Sequence, residues 1–314
     1  MILGLTTLDG ALSGFTYDFH GARLRSNRLL EGLHLVSEGS DVDLRLQLSD
    51  AHETGAIGSP GTVLPWLPPG LDCRLEQTSP MTLHVSSGLP ENETAGLLFS
   101  GVLPSLLAHS GALVLRGAAV LCPTGALLLV GGAMAGKSTA AVALARQGFP
   151  VISDDVVVLR EADGETRVAE GPAWIKLWPE GADPGNAIGE PVGPVRTGLG
   201  KQQFRRPPLP AGNARSAPRA QQFPVARVCL LNPCDVPRAV AAPLSPQALL
   251  AALSDFQRSP VGPIGSSARA AQFKILAALA RLPQPLVVHR PSELPLSADY
   301  GPSLRQLLVP GDPR

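Results

Sequence analysis

The chain lacks an excess of charge of either sign: its 314 residues hold 26 Lys and Arg against 26 Asp and Glu, a formal net charge of zero. No general attraction to nucleic acid or to an anionic membrane follows, so any anion it recognises must be met locally. Aromatic residues are scarce at 4%, yet 44% of the chain is hydrophobic. That excludes full disorder and, at this length, allows one large domain or one domain plus a smaller one. Cysteine is sparse too. Cys73, Cys122, Cys229 and Cys234 show no CxxC spacing, and they read as small buried hydrophobes of a reducing compartment rather than zinc ligands or disulfides. His20, His34, His52, His84, His109 and His289 form no metal-spaced set. A basic n-region is missing from the opening MILGLTTLDG, whose apolar run Asp9 interrupts, so it makes a poor signal peptide. The most apolar long window, Gly96 to Leu121, contains Pro104, His109 and Arg116 and reads as a core helix followed by a strand rather than a membrane span. The expectation is a cytoplasmic protein with neither nucleic acid nor membrane as a partner.

Glycine (33) and proline (32) are plentiful, and they punctuate the chain. Asp41 to Leu48 alternates, with Val42, Leu44, Leu46 and Leu48 on one face, and Met81 to Val85 gives a second strand signal. Between them Gly58 to Gly70 carries too much Pro and Gly for regular structure. Residues 1–94 therefore read as a small β-rich N-terminal module. A helix is expected from about Ala95 to His109 with a kink at Pro104, then strands at Ala112 to Leu115 and Leu127 to Val130. An alanine-rich helix follows from Ser138 to Arg146, closed by Gly148. Val151 and Ile152 lead through Ser153, Asp154 and Asp155 into the β-branched run Val156 to Val158. From Gly185 to Gln222 the chain turns irregular and basic, with Arg196, Lys201, Arg205, Arg206, Arg215 and Arg219 opposed only by Glu190; such a segment is a functional lid or a disordered insert. Beyond it come a strand at Val225 to Leu231, helices at about Pro246 to Leu253 and Ala268 to Arg281, a strand at Leu286 to His289, and a closing helix near Ser303 to Leu308.

Strand, glycine loop, helix, strand is the order of an α/β phosphate-binding unit. Its loop, GGAMAGKST from Gly131 to Thr139, fits GxxxxGK[ST] through Gly131, Gly136, Lys137 and Ser138. Small residues are needed there so that backbone NH groups can converge on phosphate oxygens, aided by the unpaired NH groups of the following helix. Gly131, Gly132, Ala133, Met134, Ala135, Gly136, Lys137, Ser138 and Thr139 are thus the candidate nucleoside-triphosphate contacts. Lys137 would reach the β and γ phosphates, and the Ser138 hydroxyl would hold Mg²⁺. Asp154 and Asp155 follow on a strand that should return beside the loop, where one carboxylate can bind the metal and the other can take a proton from an acceptor hydroxyl. Adjacent residues on an extended strand face opposite ways, so the two need not share a task. In the basic segment Arg205 and Arg206, which follow Phe204 and precede two prolines, are with Lys201 the weaker candidates for phosphate or substrate contact. Trp174 and Trp178 read as packing residues.

The loop, the phrase RQGFPVISDDVVVL (Arg146 to Leu159) and the phrase IKLWPEGA (Ile175 to Ala182) resemble the HPr serine kinase/phosphorylase-like family, including its peptide serine kinases of lasso-peptide type. Phe19 to Ser26 looks like that group's opening strand and Leu113 to Val120 like its next landmark. The resemblance implies an α/β fold of HPr kinase and phosphoenolpyruvate carboxykinase type over residues 95–314, with residues 1–94 as the β-rich module and 185–222 as the irregular basic segment. It implies phosphoryl transfer, dependent on ATP and Mg²⁺, to a serine or similar hydroxyl of a protein, peptide or small molecule, with a homo-oligomer compatible with the family. It implies that the paired aspartates serve catalysis and metal binding, Asp154 favoured as base and Asp155 nearer the metal; Lys137 and Arg116 are the further catalytic candidates, and Ser138 the further metal ligand. Two departures stand out: Arg116 occupies a position where the family usually has histidine, and Ala133 and Met134 replace a Ser-Gly pair in the loop. They motivate an alternative of another class, a catalytically weak or inactive nucleotide-binding scaffold that partners another enzyme. A hydrolase or phosphorylase is a third reading.

Overall fold

The computed structural model describes residues 14–36, 41–50, 62–63, 67, 69–76, 78–179, 189–210, 221–258, 264–292 and 298–309. The opening residues 1–13, His52, most of Gly58 to Gly70, and Arg215 and Arg219 lie outside them. The architecture is mixed α/β with several sheets.

The first sheet is built from β1 (Phe15–Phe19), β2 (Ala22–Ser26), β3 (His34–Leu35), β4 (Leu44–Asp50), β5 (Thr62–Val63), β6 (Leu71–Glu76) and β7 (Met81–Ser87) in the order β3-β1-β2-β4-β7-β6-β5. Phe19 to Ser26, read as one opening strand, is instead the turn and second arm of a hairpin, because His20 (φ 51°) and Gly21 (φ 77°) reverse the chain. Leu44, Leu46, Leu83 and Val85 are buried on one face, as period-two alternation requires. That face packs on a helical segment of α1 (Glu91–Leu97), a π turn (Leu98–Val102) and α2 (Leu103–Leu107). The irregularity expected at Pro104 appears just before it. Proline cannot donate to the carbonyl of Ser100 and its ring would strike that carbonyl, so the preceding turn widens.

The second sheet contains β8 (Leu113–Cys122), β9 (Gly125–Val130), β10 (Val151–Ser153), β11 (Val156–Ala162), β12 (Glu165–Ala169), β16 (Gln222–Cys234), β17 (Val240–Pro243) and β18 (Leu286–Pro291). Its pairings run β8 to β9, β9 to β16, β16 to β12, β12 to β11 and β11 back to β8. The ring closes, and β18 and β17 extend it. Helices α3 (Lys137–Ala145) and α6 (Tyr300–Leu308) cover one face through Ala140, Leu144, Leu304 and Leu308. The opposite face receives α4 (Pro246–Asp255) and α5 (Ser266–Ala280) through Leu249, Leu253, Ile275 and Leu279. Two-sided cover explains why β9, GALLLV, is buried at every residue. Each of these helices lies where the apolar pattern puts it, displaced by a residue or a few at its ends. Ser245 starts α4 by accepting the Ala248 amide at 3.2 Å, with Pro246 in the first turn.

The segment 185–222 is not irregular throughout. Its described part forms β14 (Glu190–Pro194) and β15 (Gln202–Arg205), which join β13 (Trp174–Leu177) in a third sheet. Pro191 and Pro194 sit on β14, the edge strand, where a missing NH breaks no ladder.

Candidate functional site

The glycine loop starts where β9 runs out. At Gly131 (φ 153°) a Cβ would lie 2.8 Å from the Leu231 carbonyl oxygen of neighbouring β16, and at Gly136 (φ 83°) it would lie 2.7 Å from Arg290 Nε. Both positions demand glycine for space and conformation. Arg290, at the end of β18 and 4% exposed, donates to Ala135 O (2.8 Å), Met134 O (3.0 Å) and Pro291 O (2.6 Å). It holds two loop carbonyls toward the sheet. Gly132, Ala133 and Met134 are exposed, and Met134 adopts φ 61°, the left-handed conformation that glycine would take without cost. No side chain caps the N-terminus of α3, so the first-turn amides of Lys137, Ser138 and Thr139 have no intrahelical acceptor, an arrangement suited to an anion. Lys137 Nζ folds back across the loop onto Gly131 O (3.0 Å) and Gly132 O (2.7 Å). Burial lowers the pKa of its ammonium, while Asp154 and Asp155 oppose that shift.

Strand register brings the acidic pair to this loop. Gly117 pairs with Val130 on one edge of β8; on the other edge Ala119 pairs with Ser153 and Arg116 with Val156. Asp154 and Asp155 are the bulge between, and the Gly117 amide donates to Asp155 O at 3.3 Å. They are therefore not successive members of an extended strand: Asp155 has φ 70°, and the pair leaves the ladder at the loop's rim. The side chain hydrogen-bonded to Ser138 is that of Asp154; the sequence reading had put Asp155 nearer the metal-binding hydroxyl. Asp154 Oδ2 also accepts the Lys176 amide at 2.9 Å, and its Oδ1 is buried with no hydrogen-bond partner. Burial raises the Asp154 pKa against those hydrogen bonds. Burial pushes Asp155 upward too, but Lys176, Arg258 and Lys201 together hold it well below the usual carboxylate range.

Lys176 is a residue that motif reasoning passed over. Buried on β13, it gives its amide to Asp154 and its Nζ to Asp155 Oδ2 at 3.1 Å and to the hydroxyl of Ser100 in the π turn. Its only sequence trace is membership of IKLWPEGA. Arg258 was missed as well; nothing local marks it, because its electrostatic hold on Asp155 depends on the pairing of the segment after α4 with β8. Of the three weaker candidates, Lys201 lies within electrostatic reach of Lys137, Asp154 and Asp155. It closes the loop of the β14–β15 hairpin, its carbonyl accepting the Val195 amide at 2.9 Å, and buried Glu93 of α1 holds that loop by accepting from the amide (2.9 Å) and hydroxyl of Thr197. Arg205 instead meets Glu31 at 3.7 Å. Arg206 is 3% exposed and bonded to Glu170 (2.8 Å) and Gly171 O (3.0 Å). Its burial between strands rules out the phosphate contact expected of it. Arg116 stays exposed on the loop side, near Lys137 and Arg258. Trp174 packs on Phe99, ring centres 5.2 Å apart.

Among the described residues no three His, Cys, Asp or Glu side chains form a metal cage, and no helix is long and apolar enough to cross a membrane. Mg²⁺ needs no such cage: it is commonly held by one or two protein oxygens together with phosphate and water. The Ser138 hydroxyl and the Asp154 carboxylate, one of whose oxygens is buried without a partner, fit that hard oxygen set. No protein-family model and no curated protein matches the chain. Among solved structures, the HPr(Ser) kinase/phosphatase from Coxiella burnetii is similar over 51% of this chain and 86% of that one, at 12% identity and a TM-score of 0.20. A likeness that distant carries no weight in assigning the site, which stands on its own residues.

Proposed function

We propose that the chain is a P-loop phosphotransferase that binds ATP with Mg²⁺ at Gly131–Thr139 and passes the γ-phosphoryl group to a hydroxyl of a protein, peptide or small molecule. The observation that carries this reading is the meeting of Lys137, Ser138 and Asp154 at the uncapped start of α3. Phosphoryl transfer is largely positioning and charge stabilisation, and this group supplies both. Loop and helix amides bind the phosphates, and Lys137 leaves the Gly131 and Gly132 carbonyls to pair with them. Ser138 and Asp154 would hold Mg²⁺, which supplies charge neutralisation between the β and γ phosphates. Asp155, ionised and with its side chain 31% exposed, is then the better placed base, reversing the roles drawn from the sequence. The acceptor oxygen bonds to phosphorus, the bond from γ-phosphorus to the bridging oxygen breaks, and the acceptor proton passes to Asp155. A carboxylate of low proton affinity suffices, since the hydroxyl becomes strongly acidic only as the new bond forms.

The test is incubation with labelled ATP and Mg²⁺, following ADP formation and nucleotide binding separately. Lys137→Ala is expected to weaken ATP binding at least tenfold. Asp154→Asn is expected to abolish ADP formation while ATP still binds. A second reading, a nucleotide-binding scaffold without turnover, draws on the left-handed Met134 in the loop and on Arg116. Tight ATP binding with no ADP formed by the unmodified chain in the presence of candidate acceptors would favour it.

A further inference from the structure

Five cations, Lys137, Lys176, Lys201, Arg116 and Arg258, gather around two carboxylates, Asp154 and Asp155. Two of the five have assignments: Lys137 serves the phosphates, and Lys176 is committed to Asp155 and Ser100. The arginines are another matter, because the backbone itself brings them together. The Arg116 amide donates to Phe256 O at 2.8 Å, Leu115 bridges Gln257, and the Arg258 amide donates to Val114 O at 2.8 Å. The segment after α4 is thereby laced to β8, which sets Arg116 and Arg258 diagonally across the same antiparallel pairing and within electrostatic reach of one another, with Asp155 in reach of Arg258. Like charges within reach of one another repel unless an anion joins them, and two planar donor forks match the paired oxygens of a carboxylate or phosphate.

We infer that the phosphoryl acceptor carries its own oxyanion, a carboxylate or a phosphate beside the reacting hydroxyl, and that Arg116 and Arg258 bind it. The inference rests on the nucleotide reading above and assigns Arg258 a role in acceptor selection. Lys201, on the hairpin across the rim, closes the same field from the other side.

Calorimetric titration of the full chain, saturated with Mg²⁺ and a non-hydrolysable ATP analogue, tests it with three probes of one skeleton: glycerol, glycerate and glycerol 3-phosphate. Both anions, or one of them, should bind while glycerol does not, and the two anionic arms separate carboxylate from phosphate recognition. Arg258→Gln should weaken anion binding at least tenfold and analogue binding by less; Arg258→Lys should recover part of it. A thermal melt of each variant confirms folding. The inference is overturned if neither anion binds the analogue-loaded chain, if glycerol binds equally well, or if Arg258→Gln weakens the analogue more than the anion. Failure of the chain to bind the analogue at all is a separate outcome, which removes the nucleotide reading and this inference with it.

Discussion

Met134 illustrates how one side chain can hold a loop in an unfavourable state. A left-handed backbone costs an L-residue about 1–2 kcal/mol, and the greater chain entropy of glycine returns roughly 0.5–1 kcal/mol of that. Met134→Gly is therefore expected to stabilise the ligand-free chain by up to about 1.5 kcal/mol, measured by urea unfolding; a loss of stability would show that the exposed thioether packs on something in solution. Arg290 acts in the opposite sense. Arg290→Met leaves the Ala135 and Met134 carbonyls without their donors, a cost of about 1–3 kcal/mol, and both unfolding stability and nucleotide affinity should fall. At the residue scale the sequence speaks most directly where the candidate residues are contiguous, as in Gly131–Ser138. It failed for Lys176, Arg258 and Arg290, whose partners lie across strand pairings. Arg206 misled because its neighbours Phe204 and Pro207 suggested a stiff approach to ligand, whereas its guanidinium is buried against Glu170.

At the scale of elements, the hairpin bearing Lys201 depends on α1 for its position. Glu93 binds Thr197 twice, and Asn92 donates to Pro194 O at 3.1 Å. Glu93→Ala should free the hairpin tip, so amide hydrogen exchange across residues 195–201 is expected to quicken while exchange in β9 and α3 is unchanged. Equal quickening everywhere would mean that Glu93 supports the whole fold. β9, α3, α4 and α5 were legible in sequence because each is an apolar or alanine-rich run with no glycine or proline inside it, and local composition and tertiary burial agree. β6, β12, β14 and β17 were not. β14 carries two prolines, β12 and β17 are short pairings made strands by their partners, and β6 was passed over although it alternates, with Leu71, Cys73 and Leu75 buried.

At the scale of the molecule, the first sheet is tied to the strands behind the site through Glu170, which bonds Arg206 and, at 3.2 Å, His34 of β3. Arg206→Ala would leave the buried Glu170 carboxylate with only half-exposed His34 as a side-chain partner, with a loss of up to about 3–5 kcal/mol. His34 responds to pH. Its hydrogen bond to Glu170 raises its pKa above the ordinary value of about 6.5, so its contribution is complete below pH 6.5 and disappears as pH rises through the folded value. The side chain is 51% exposed, so the contribution is under about 1 kcal/mol. His20 works oppositely: burial, then Arg160, hold it down to about 3, so it destabilises the fold as pH falls below 6.5. Comparing His34→Gln with the unmodified chain across pH 5 to 9 cancels His20, and the stability difference should shrink toward alkaline pH. The α/β class could be read from the order of motifs, but the closed ring of strands could not, since ring closure joins residues too far apart in sequence to leave a local signal. That ring has a consequence for how the site can change. β8 is the common ruler against which β9, β10 and β11 are all measured, so Arg116, the acidic bulge and the start of the loop share a single alignment. Substitutions along β8 alter one part at a time, whereas deleting one residue from it would throw every part out of step at once.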